Sequence, residues 1–189
     1  PFTSALVTGA SSGIGAGFAE LLGAAGVPTV IVARREDRLR ELAERYPSLE
    51  VLAADLTTTD GLERVAARAG QVDLVVNNAG FGSSGPFVSV AAERLAREIA
   101  LNVAAVTRIS HAALAAMVPN GRGYLLNVSS AASFQSAPNL AVYAATKAYV
   151  TSLGESLHEE VRGTGVHVTT LCPGLTPTEF QSVSSSADE

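Results

Sequence analysis

The sequence predicts a three-layer α/β fold: a single domain built on one doubly wound parallel sheet. Short β-branched runs alternate with longer alanine- and leucine-rich segments along the chain. Those runs are apolar at successive positions rather than alternating with polar ones, as expected when helices cover both faces of a parallel sheet. The connections are short, and strand–helix–strand repeated this way is the pattern of an open doubly wound sheet. Right-handed crossovers then give the strand order 3-2-1-4-5-6.

The first strand, Ala5–Thr8, runs into Thr8-Gly9-Ala10-Ser11-Ser12-Gly13-Ile14-Gly15 and then a helix pattern over Gly15–Ala25. Glycines permit a tight turn, and their missing Cβ lets a pyrophosphate approach the backbone. The helix N-terminus supplies free N–H groups and a favourable dipole. Strand before and helix after make this a Rossmann-like dinucleotide site, with Gly9, Ser11, Ser12, Gly13, Ile14 and Gly15 as its contacts. The spacing is G-x-x-x-G-x-G rather than the commoner G-x-G-x-x-G.

The second strand, Thr29–Ala33, ends in Arg34-Arg35, with no acid until Glu36, and a helix over Glu36–Tyr46 follows. An acid here would bind a ribose 2′-hydroxyl, whereas a guanidinium binds a 2′-phosphate bidentately. The expected cofactor is therefore NADP(H), with NAD(H) disfavoured and Arg34 as the phosphate contact. Arg35 and Arg38 fit equally well as solvated arginines of a surface helix. The third strand, Glu50–Ala54, is followed by Asp55-Leu56 and a helix over Thr59–Ala69. Asp55 either hydrogen-bonds an adenine edge or caps that helix; both readings stand. Leu74–Asn77, Gly123–Ser129 and Val166–Cys172 complete the sheet, with helices over Ala91–Val118 and Val142–Arg162 between them.

Composition excludes several classes. The net charge of -5 is spread without a basic run, against nucleic acid or an anionic membrane as partner. No apolar stretch reads as a membrane span. Nothing in Pro1-Phe2-Thr3-Ser4 suggests a secretory leader, and Cys172 is the only cysteine, read as core packing. These point to a soluble protein of a reducing compartment, cytoplasmic by expectation. His111, His158 and His167 lack metal-ligand spacing, so no metal is expected. The segment after Phe180, residues 181–189, is small and polar, a tail or a truncated substrate loop beyond a 1–180 domain.

Of thirteen basic side chains, twelve are arginine and one is Lys147, four residues after Tyr143. A chain this biased toward arginine places lysine where a planar fork does not fit. One helical turn apart, phenol and ammonium share a helix face. The ammonium favours phenolate, which predicts a tyrosine acidified toward neutrality and working as a general acid/base.

Asn102 in the long helix and Ser130 after the fifth strand line up with Tyr143 and Lys147. Together with Thr8–Gly15 and Asn77-Asn78-Ala79-Gly80, they make the chain resemble the short-chain dehydrogenase/reductase family, in its single-domain branch. Ser130 precedes Tyr143 by thirteen residues, within that family's usual gap. The resemblance runs from the first residues through Pro173-Gly174 to Thr178. It implies that Tyr143 exchanges a proton with the substrate oxygen, which Ser130 holds. Lys147 would lower the tyrosine pKa and bind the nicotinamide ribose. Asn102 would position a water through its backbone carbonyl, unless its side chain is simply bonded to neighbouring backbone. Asn77, Ala79 and Gly80 would pass close to the cofactor, with Asn77 the best contact, or form a plain strand-ending turn. Pro173 and Gly174 would lie against the nicotinamide, and Thr176 and Thr178 resemble the hydroxyls nearby.

The implied activity is NADP(H)-dependent interconversion of a ketone or aldehyde with its alcohol. Reduction of a 3-oxoacyl thioester is the alternative within catalysis, and a non-catalytic NADP(H)-sensing or scaffold protein the alternative outside it. The resemblance also implies a homodimer or homotetramer through the long helices. Family members usually continue with a substrate-covering helix pair and a seventh strand, so the expectation is that the C-terminal part is missing from this sequence.

Overall fold

The computed structural model describes residues 2–176. Six parallel strands form one sheet: β1 (Ala5–Thr8), β2 (Thr29–Ala33), β3 (Leu49–Ala53), β4 (Leu74–Asn77), β5 (Gly123–Val128) and β6 (Val166–Leu171). Their order is β3-β2-β1-β4-β5-β6, as the crossover rule gives. Val7 is in register with Ile31 on one side and Val76 on the other, which centres the sheet on β1 and β4. The ends of β1, β2 and β4 match the sequence reading, and those of β3, β5 and β6 differ by one residue, within the normal uncertainty of frayed termini.

Alternate strand residues feed two cores, one on each face. Val7, Ile31 and Val76 pack with Ala19 and Leu22 of α1 (Gly13–Ala24) and Leu39 and Leu42 of α2 (Glu36–Arg45). Leu6, Val30, Val75 and Leu125 pack on the other face with Val65 of α3 (Thr59–Ala69) and with Ile109, Ala113 and Met117. The last three belong to α5 (Val106–Met117), and α6 (Ala141–Glu160) lies on the same face against β6. Burial of these apolar side chains is the principal stabilising term.

Several expectations are corrected by the structure. Both faces of every strand were expected to be covered, but β6 alternates: Val166 and Val168 are buried, His167 and Thr169 exposed. β6 is an edge strand with α6 on one face and no described helix on the other. Cys172, just past its end, is accordingly only half-buried. The expected single helix over residues 91–118 is also interrupted. Between α4 (Ala92–Ile99) and α5 lies a π-helical segment, Ala100–Ala105. The widened turn shifts the helix register there, and such segments cluster at functional sites. Asn102 sits inside it, buried. Contrary to the reading of the sequence, this run of 26 residues, Ala92–Met117, is long and apolar enough to cross a bilayer by length and composition. Of its apolar residues, Ala105, Ile109, Ala113, Leu114 and Met117 pack in the core on the sheet, while Ile99 is exposed.

Candidate active site

The glycine turn after β1 is shaped by close backbone approach. Gly9 has φ +68°, and a Cβ there would lie 2.7 Å from Asn78 Nδ2 and 2.9 Å from Ala79 Cα. At Gly15 a Cβ would fall 2.3 Å from the Gly9 carbonyl oxygen. Gly13, with φ +57°, opens α1. Ser12 makes no side-chain cap and the first turn holds no acid, so the first N–H groups and the dipole are left for an anion. The side chain of Ile14 packs into the core and leaves only its backbone to this turn.

Asn78 fastens the turn to the end of β4. Its Nδ2 donates to the carbonyls of Thr8 (3.0 Å) and Gly9 (3.3 Å), and its N–H donates to Thr8 Oγ1. The Ala79 N–H donates to the same Thr8 hydroxyl. Asn77, the expected contact, is 2% exposed and points the other way. Its Nδ2 donates to Ser110 Oγ and Asn127 Oδ1, both at 3.0 Å, so the side chain ties β4 to β5 and α5.

At the end of β2 it is Arg35, not Arg34, that reaches the glycine turn. Its guanidinium donates to Ser11 Oγ at 3.0 Å and Ser12 Oγ at 2.9 Å. The Arg34 charge acts instead on Asp55. Asp55 Oδ1 accepts from Thr57 N–H (2.9 Å) and Thr57 Oγ1 (2.7 Å) in a local turn, and the cap of α3 is instead Thr58, whose side chain accepts from Gly61 N–H. Partial burial would raise its pKa, but the Thr57 bonds and the Arg34 charge prevail and hold it below the usual range. Leu56 is buried in the core, which leaves only its backbone near the site.

Gly80 brings the loop after β4 against the catalytic candidates. A Cβ there would stand 3.0 Å from Asn102 Oδ1 and 3.4 Å from Lys147 Nζ. Asn102 clamps this loop from both sides: Oδ1 accepts from Phe81 N–H, and Nδ2 donates to the Phe81 carbonyl at 2.8 Å. Nδ2 also donates to Thr146 Oγ1, which donates to the Tyr143 carbonyl. The side chain is thus bonded to backbone, as its alternative reading had it, though across to a loop rather than within its helix.

Ser130, Tyr143 and Lys147 meet at the end of β5. The Ser130 hydroxyl lies close enough to the Tyr143 phenol to favour its ionised form, while its neighbour Ser129 is buried and donates to the Lys147 carbonyl. Pro173 and Gly174 close this side through an Ala131 N–H bond to the Pro173 carbonyl at 2.8 Å. Thr176 Oγ1 turns back to the Gly174 carbonyl, and Thr178 lies outside the described residues. Lys147 is buried on the same face of α6 as Tyr143, its Nζ 5.8 Å from the ring centroid and donating to the Val128 carbonyl at 2.9 Å.

The electrostatics correct the expected acidified phenol. Burial pushes the Tyr143 phenol above its ordinary range; the nearby Ser130 hydroxyl opposes this and the Glu98 charge adds to it. The ammonium lies over the ring, 5.8 Å from its centroid, and is not among the groups that act on the phenol. Burial lowers Lys147 to about 8, against the supporting charges of Cys172 and Glu98.

Three residues of the site escaped the sequence reading: Asn78, Arg35 and Glu98. The first two follow from strand alternation carried one or two residues past the strand ends. Ala33 and Val76 pack on the α1 face, and Arg35 and Asn78, two residues further along, point the same way.

Comparison with known proteins places this arrangement. Residues 3–189 match the sequence model described as short chain dehydrogenase. An uncharacterized oxidoreductase of Myxococcus xanthus is 38% identical over 192 residues, covering 97% of this chain and 76% of that protein. A solved short-chain dehydrogenase from Sphingobium yanoikuyae, in complex with NADPH, superposes with a TM-score of 0.93 at 36% identity. That match covers 98% of this chain and 76% of the other. The bulky-bulky ketone specific alcohol dehydrogenase from Comamonas testosteroni gives a TM-score of 0.89 at 36% identity, over 93% of this chain and 74% of its own.

Proposed function

Given that the chain belongs to the short-chain dehydrogenase/reductase family and is an oxidoreductase of it, we propose that it uses NADP(H) to interconvert a ketone or aldehyde with its alcohol. The observation that carries the reading is the pairing of buried Tyr143 and Lys147 on one face of α6, with Ser130 beside the phenol, at the same end of the sheet as the glycine turn. The Sphingobium relative's NADPH and the Comamonas relative's ketone preference support cofactor and substrate class.

The residues present fit a phosphorylated dinucleotide. The uncapped N-terminus of α1 would take the pyrophosphate. Arg35, with the hydroxyls of Ser11 and Ser12 gathered around it, would take a 2′-phosphate. Bound there, the cofactor supplies hydride transfer to and from the carbonyl carbon.

The chain's own residues handle the oxygen. In reduction, Ser130 hydrogen-bonds the substrate oxygen and stabilises the charge gathering on it. Tyr143 gives that oxygen its phenolic proton, and in oxidation the phenolate takes it back. A phenol held above its ordinary range keeps its proton near neutrality and so suits the reductive direction. Lys147, with its pKa of about 8, holds positive charge beneath the phenolate that reduction leaves.

Steady-state assays with NADPH and NADH against aromatic and cyclic ketones test this. NADPH is expected to show the lower KM, and Tyr143→Phe should lose at least ~100-fold in kcat with NADPH affinity retained. Equal KM values would reject the cofactor assignment. Turnover of Tyr143→Phe within tenfold of wild type would reject the proton donor. Activity confined to a 3-oxoacyl thioester would replace the substrate class.

A further inference from the structure

Glu98 is the least expected residue of the molecule. It is a carboxylic acid with 0% exposure, and neither Oε1 nor Oε2 has a hydrogen-bond partner among the described residues. An unpaired buried carboxyl costs stability, whereas a packed apolar side chain of its size would contribute to it. Its place is not random. Arg94, Glu98 and Asn102 stand four residues apart along α4 and the π-helical segment, facing the loop after Gly80. Asn102 bonds Phe81 at both backbone groups, and Arg94 donates to the Gly82 carbonyl with its guanidinium over the Phe81 ring. Glu98, between them, is left facing Ser83, whose buried hydroxyl is likewise without a partner.

The groups that act on this carboxyl come from every element around it. Ser83 in the loop favours the charged form but does not reach hydrogen-bond geometry. Arg94 on its own helix and Lys147 on α6 favour the charged form as well. Burial outweighs them and raises its pKa. The influence is mutual: Glu98 supports the charge of Lys147 and opposes ionisation of Tyr143.

We propose that Glu98 is a positioning residue for proton transfer, a buried carboxylate whose field on Tyr143 and Lys147 sets the pH range in which the phenol exchanges its proton. It touches neither cofactor nor substrate and acts through those two groups. The inference rests on the proposed role of Tyr143, and the test separates the two.

Glu98→Gln removes the charge at nearly constant volume. With the opposing charge gone, the phenol ionises more readily, so the acid limb of kcat/KM for alcohol oxidation moves to lower pH. The phenolate absorbance of Tyr143, isolated as wild type minus Tyr143→Phe, moves the same way without any turnover. Ser83→Ala, which disfavours the carboxylate, should move both in the same direction by less. Superimposable profiles, or activity lowered uniformly at every pH, would show a purely structural role and overturn the proposal. If Glu98→Gln fails to fold, the Ser83→Ala titration decides alone, and an unmoved phenol rejects the idea. Absence of turnover in wild type would sink the proposed function and still leave the absorbance titration to decide on Glu98.

Discussion

The two sides of the cleft are built by opposite means. At the glycine turn the shape comes from atoms that are missing: Gly9 and Gly15 let a loop, a helix and the end of β4 approach more closely than side chains allow. At Tyr143 the shape comes from polar atoms that are present and deeply buried, with Lys147, Asn102 and Glu98 all nearly inaccessible to water. The first side is a steric solution and pays little electrostatically. The second holds charge in a low-dielectric interior, where every group shifts its neighbours. Adding an atom should therefore damage the turn, whereas removing a charge beside Tyr143 should damage chemistry and relieve the fold.

The sharpest break of that contrast is Lys147→Met. Turnover should fall at least ~100-fold, as for loss of a proton-transfer group. Stability should rise. A lysine whose folded pKa is about 8, below its ordinary 10.5, binds its proton less well in the folded state than in the unfolded one. Its charge therefore costs stability in full below the folded value, and the cost disappears as pH rises through the interval to the ordinary one. Allowing for the lost bond to the Val128 carbonyl, the gain near neutrality should be about 1–3 kcal/mol. It should vanish in denaturant titrations above the ordinary lysine pKa. A variant less stable than wild type near neutrality would mean that the ammonium holds the fold together.

Gly15→Ala probes the other side. The new methyl would meet the Gly9 carbonyl oxygen at 2.3 Å, a backbone atom that cannot swing away. Overpacking of this kind costs about 1–3 kcal/mol, and here it would push the turn from the start of α1. A lower melting temperature and at least ~10-fold weaker NADPH binding by fluorescence titration are expected. Unchanged binding would show that the turn tolerates the shift.

The same division explains what the sequence disclosed. Sheet order, the glycine turn and the Ser130, Tyr143 and Lys147 positions were legible because each depends on chain order or fixed spacing. The errors fell where a side chain had to be assigned to a face. Asn77 and Asn78 are neighbours of one type, but one turns to Ser110 and the other to the glycine turn. Arg34 and Arg35 divide in the same way between Asp55 and the serines. Strand alternation decides both pairs and was available in the residues. The raised phenol was not available, because desolvation depends on what covers Tyr143 in three dimensions. Nor was Glu98, since an acid at helical spacing reads as a solvated face until its burial is known.

The smallest expected effect sharpens the steric side most. Gly17 lies two residues beyond Gly15 in the same helix, and a Cβ there would meet nothing within 4 Å. Its backbone is helical, so alanine introduces no strain and restricts only the unfolded chain. Gly17→Ala should therefore stabilise the protein by about 0.5–1 kcal/mol, read as a small rise in melting temperature, with the KM for NADPH unchanged. Opposite signs at Gly15 and Gly17 would show that contact at the turn, and not glycine content, shapes the phosphate side of the cleft. Equal destabilisation at both would make helix α1 as a whole, rather than its first turn, intolerant of added atoms.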